Sequence, residues 1–95
     1  MGSRGVFISL LEHSEDESRS PLFANHPAPP WPIDGEGFNP AALQRRIDGQ
    51  AGYQSFFTTN GRAFCLYVVI GSYPLRSVLA KVANPALDGI TIGPR

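Results

Sequence analysis

Asn60-Gly61 sits between two runs rich in aromatic and β-branched residues, Tyr53–Thr59 and Arg62–Ile70. Asn-Gly is the favoured pair for a two-residue type I′ turn, because both central positions need positive φ. The spacing therefore predicts a β-hairpin over Tyr53–Gly71. In its second strand Phe64, Leu66, Val68 and Ile70 alternate with Ala63, Cys65, Tyr67 and Val69, so both faces are apolar. Such a strand belongs in the middle of a sheet with cover on both sides.

The remaining elements arrange themselves around that hairpin. Val6–Leu11 is β-branched and aromatic, follows Gly5 and runs into the polar stretch Glu12–Ser20, which predicts a first strand. From 12 to 38 no helical or alternating period survives, and prolines at 21, 27, 29, 30 and 32 predict a long loop. Leu22, Phe23, Trp31 and Ile33 are expected to hold that loop on the body, with the Trp31 stretch covering one sheet face and helices the other.

Asn39-Pro40 is a capping pair, Leu43 and Ile47 fall four apart, and Gly49 supplies a stop, which predicts a helix over Pro40–Asp48. Leu75, Val78, Leu79 and Val82 form an i, i+3, i+4, i+7 stripe, predicting a second helix over Leu75–Ala83 that Pro85 ends. Ile90-Thr91-Ile92 reads as a short terminal strand. The expected fold is a single α+β domain over 1–95, with an antiparallel sheet of about four strands and two helices in β-α-β-β-α-β order. On topology alone that order suggests a ferredoxin-like sandwich.

Composition narrows the function classes. Eight basic and eight acidic residues cancel, so the field that draws proteins to phosphate backbones is missing and nucleic acid is not an expected partner. The charges are nevertheless segregated: residues 1–36 carry six acids against Arg4 and Arg19, and residues 37–95 carry six bases against Asp48 and Asp88. The two parts are expected to attract each other. Cys65 is the single cysteine, and with no signal segment visible the reading is a cytoplasmic protein without disulfides. The longest apolar run, Ala63–Ile70, is too short to span a bilayer, so no membrane contact is expected.

The segments Gly5–Glu12, Gln54–Gly71 with Phe56-Phe57 and Gly61-Arg62, and Ala86-Leu87-Asp88-Gly89 resemble the C-terminal part of small actinobacterial α+β proteins. The resemblance covers most of the chain and rests on strands and turns, not on catalytic residues. It implies a fold closer to a Mog1/PsbP-like sandwich than to ferredoxin, with further β-structure upstream. Pro85 departs from the pattern, and no activity is carried over with it.

Candidate chemistry is sparse. Glu12, His13, Glu15, Asp16, Glu17 and His26 are ligand and acid-base types, but a polar run after a strand is ordinarily a solvated loop, and no metal or cofactor is expected. Cys65 lies among apolar neighbours, where a thiolate is disfavoured, so a Cys-His nucleophile is not expected. Pro27–Pro32 contains overlapping Pro-x-x-Pro frames, yet Trp31 among them reads as a plug in its own sheet. Arg45-Arg46 reads as a solvated helix face. Phe56 and Phe57 must point to opposite faces.

The leading expectation is a non-enzymatic protein-interaction or small-ligand-binding domain with Trp31, Tyr53, Phe57, Arg62 and Tyr73 as its binding residues. The alternatives are a small enzyme using His13, His26 and the carboxylates of Glu12–Glu17, and a remnant that completes a partner's sheet. Unpaired sheet edges favour a homodimer or another protein partner.

Overall fold

The computed structural model describes residues 4–14, 19–43 and 48–93. Its sheet contains β1 (Val6–His13), β2 (Ala51–Thr59) and β3 (Arg62–Ile70), all antiparallel, in the order β1-β3-β2. The hairpin turns on Asn60 and Gly61 with φ of 52° and 74°, the positive values this turn demands. β3 is central, as its two apolar faces require. A short helix α1 (Pro21–Ala24) and a longer helix α2 (Arg76–Asp88) complete the α+β fold.

Register assigns every strand residue to one of two faces. Val6, Ile8 and Leu10 lie opposite Ile70, Val68 and Leu66, which in turn lie opposite Ala51, Tyr53 and Ser55. On this first face Leu79, Ala80, Ala83 and Leu87 of α2 pack with Ile33, Phe38, Phe57, Phe64, Leu66, Val68 and Ile70 into the core. Trp31 packs there too. Helix and Trp31 loop therefore cover the same face, which corrects the expectation that they divide the two faces between them.

The proline-rich segment achieves this by wrapping the β2 edge. It starts on the second face, where Phe23 is buried against Phe56 and His13, with ring centroids 5.4 and 5.0 Å away. It crosses the edge where the Thr58 amide donates to the His26 carbonyl at 2.8 Å. Trp31, Ile33 and Phe38 then lie across the first face. It returns past the edge at Asn39, which exchanges two backbone hydrogen bonds with Gly52 at 2.8 and 3.0 Å. A side chain at Gly52 would meet Leu43 on the second face.

Three further expectations are corrected. Asn39 caps a turn, with its side chain accepting from the Ala41 amide at 2.8 Å, but helical backbone stops at Ala42 because Leu43 is extended. A continuous helix over Pro40–Asp48 is thereby excluded, while residues 44–47, with Ile47 and Arg45-Arg46, lie outside the described residues. Ile90-Thr91-Ile92 forms no strand, so the sheet has three strands among the described residues. The segment instead runs along the hairpin end, where Asn60 Nδ2 donates to the Ile92 carbonyl and Arg62 Nη1 to the Gly93 carbonyl.

Pro85 does not end α2, which continues to Asp88. Pro85 and Lys81, whose carbonyl it leaves without a helical donor, lie on the exposed side of α2, while the added turn buries Leu87 completely. The buried stripe is Leu79, Ala80, Ala83 and Leu87, and Val78 and Val82 face outward.

Candidate functional site

Of the residues expected to bind a ligand, Phe57 is buried in the first-face core, Trp31, Tyr53 and Tyr73 pack against it, and Arg62 lies at its rim. Trp31 meets Phe57 edge-on at 5.7 Å, and Phe57 stacks on Phe64 at 5.6 Å. Arg62 lies over Phe64 at 5.3 Å and forms a two-pronged ion pair with Glu12, at 2.9 and 2.8 Å. The row from Trp31 to Arg62 is thus filled by rings and a guanidinium packed on one another. Tyr53 packs on Phe38 at 5.7 Å, and Tyr73 carries the Arg76 guanidinium 4.3 Å from its ring. Burial pushes the Tyr53 phenol up, with Asp34 adding to the shift and a hydrogen bond from Ser55 opposing it.

The acid-base set does not converge. Glu12 points to the first face and is held by Arg62, whereas His13 points to the second and packs on Phe23. His26 is exposed beside the β2 edge, and Glu15, Asp16 and Glu17 lie outside the described residues. Among the described residues no three His, Cys, Asp or Glu side chains are grouped to hold a metal ion. Cys65 is buried on the second face, where desolvation pushes its thiol up and the Gln54 amide, 3.6 Å from Sγ, works the other way.

A different surface stands out. On the second face Phe23 covers one end and Leu43 the other, and between them no described element packs over Phe7 and Leu11. Phe7 and Leu11 of β1 are 53% and 62% exposed, with Ser9 between them and Tyr67 and Val69 of β3 half-buried alongside. The sequence places these residues in a strand, but their exposure is decided by how the rest of the chain packs. The legible signal was that Val6–Leu11 carries neither a charge nor a proline, the usual guards of an exposed strand.

Among the described residues no backbone group pairs with the outer edge of β1 from Val6 to Leu10. The Gly71 amide donates to the Gly5 carbonyl at 2.9 Å, which sets the alternation of the β1–β3 ladder. Odd-numbered residues of β1 therefore bond to β3, and Val6, Ile8 and Leu10 turn N–H and C=O outward. The β2 edge, by contrast, is tied to the loop at Gly52 and Thr58.

No family model, curated protein or solved structure matches the chain. Among the described residues no helix is long and apolar enough to cross a membrane.

Proposed function

We propose that this chain is a non-enzymatic protein-interaction domain whose contact surface is the open stretch of the second sheet face together with the β1 edge. The observation that carries the reading is the exposure of Phe7 and Leu11, two large apolar side chains on one face of one strand. Exposed apolar groups on one strand face beside an outward-facing strand edge are features of protein contact surfaces. Since each side chain is only part-exposed, removing the rest of each from water is worth about 1–2 kcal/mol. The small-ligand alternative placed between Trp31 and the hairpin draws no support, since Phe57 and Phe64 pack into that space.

The test is a photo-crosslinking phenylalanine analogue at position 7 in the cell that makes the protein. A protein adduct is expected, weakened by Leu11→Asp, with none from the same analogue at the exposed Lys81. Absence of any protein adduct at position 7, in a chain that folds normally, would overturn the reading.

A further inference from the structure

We infer that the partner is a second copy of this chain, joined antiparallel through β1 about a two-fold axis at Ser9, so that Phe7 of each copy meets Leu11 of the other. The inference rests on the interaction reading above and adds the identity of the partner and the register of the contact.

Three observations select this arrangement. Among the described residues the outer edge of β1 has no backbone partner from Val6 to Leu10, whereas β2 is tied to the loop at Gly52 and Thr58. The outward backbone groups of β1 belong to even-numbered residues, so these must form the hydrogen-bonded pairs of a new ladder. Side chains opposite each other must also point to the same side, so odd residues meet odd and even meet even.

Those conditions leave a few registers, and one matches the apolar groups. With Ser9 opposite Ser9 of the second copy, Phe7 falls opposite Leu11 and Leu11 opposite Phe7. Ile8 and Leu10 then exchange backbone hydrogen bonds across the edge. Moving the axis to Leu10 sets Phe7 against His13, and moving it to Ile8 sets Leu11 against Gly5. Only the Ser9 register buries both exposed side chains against each other, in non-hydrogen-bonded pairs where side chains approach most closely. The product is a six-stranded sheet whose edges are the two β2 strands, each already guarded by its own loop. The contact is isologous and closed, so it stops at two copies.

The purified full chain should sediment as a dimer that dissociates on dilution. Phe7→Lys and Leu11→Glu should each raise the dimer dissociation constant by roughly tenfold or more, since each change spoils two symmetric cross-strand pairs. Mixing the two variants should restore association, because the mixed dimer sets Lys against Glu in one pair and keeps Leu against Phe in the other. Ser9→Cys, with Cys65→Ala to remove the native thiol, should oxidise to a linked dimer, since facing residues at the axis lie about 4.5 Å apart, within disulfide range. Phe7→Cys in the same background should not link, its two copies being about 13 Å apart at ~3.4 Å per residue.

A chain that stays monomeric at every concentration, with no linkage through Ser9→Cys, overturns the self-pairing. If position 7 then still gives an adduct to a different protein, the interaction reading survives that failure. A dimer that neither links through Ser9→Cys nor is restored by mixing overturns the register.

Discussion

Asn84 pairs with the backbone of Ile33 as a neighbouring strand would. The Ile33 amide donates to Asn84 Oδ1 at 2.8 Å, and Asn84 Nδ2 donates to the Ile33 carbonyl at 2.9 Å. One side chain of α2 thereby satisfies both backbone groups of a buried loop residue and fixes the Trp31 stretch over the core. Asn84→Ala leaves both groups without partners and should cost about 1–3 kcal/mol in urea unfolding. Asn84→Asp keeps the acceptor but turns an oxygen toward the Ile33 carbonyl, so it should also destabilise.

Gly35 sits where α2 begins. A side chain there would lie 2.8 Å from the Ser77 amide nitrogen and 2.9 Å from its Cα, and backbone cannot swing aside as a flexible side chain can. Gly35→Ala should therefore cost about 1–3 kcal/mol by denaturant titration. Gly89→Ala is the control: its nearest contact would be an ordinary 3.5 Å and its φ is −77°, so stability should change by about 0.5 kcal/mol or less.

Pro85 lies inside α2 on its exposed side. Replacing it by Ala restores a backbone donor toward the Lys81 carbonyl without touching the core. Pro85→Ala should raise the thermal midpoint by several degrees, with a gain on the order of 1–3 kcal/mol. An unchanged or lower midpoint would mean that the ring itself packs usefully.

Alkaline pH should weaken the fold through Cys65 and Tyr53. Burial raises both groups, so the folded chain keeps protons that the unfolded chain releases near pH ~8.5 for a thiol and ~10 for a phenol. The folded state then binds more protons than the unfolded one, and stability falls as pH rises through that window. Cys65→Ala should remove the earlier part of the decline and Tyr53→Phe the later part, as read from urea midpoints between about pH 7 and 11.

Arg62 joins three segments by bonding Glu12 of β1 and the Gly93 carbonyl while lying over Phe64. A lysine keeps the charge but not the planar fork. Arg62→Lys should leave the sheet intact and loosen the stretch from Ile90 to Gly93, seen as lower NMR order parameters at Ile92 and Gly93. Unchanged order parameters there would assign the anchoring to Asn60 rather than to Arg62.

Much of the sheet was legible from residues 53–71 because turn chemistry and alternation are local. Asn-Gly requires positive φ, and a strand apolar at every position must be central. What the sequence left open was which element lies on which face. Val78 and Val82 fit a helical stripe as well as Ala80 and Ala83 do, and only packing against Leu66 and Ile70 decides that the small residues face inward. The local preference of Pro85 is to end a helix, and the burial of Leu87 overrides it. The same limit hid the open surface: alternation places Phe7 and Leu11 on one side of β1, but their exposure follows from the loop crossing to the other face at His26.

The central strand has neighbours of very different reach. Thr59 and Arg62 meet across a two-residue turn, whereas β1 meets β3 through pairs such as His13 with Ala63 and Val6 with Ile70, separated by 63 − 13 = 50 and 70 − 6 = 64 positions. Closing that span is slow beside hairpin formation, which takes about 1–10 μs. A newly folding chain therefore presents one bare side of Arg62–Ile70 until β1 arrives. Any β1 can fill that vacancy, including one from another molecule, so crowded refolding should yield strand-exchanged species and dilute refolding should not.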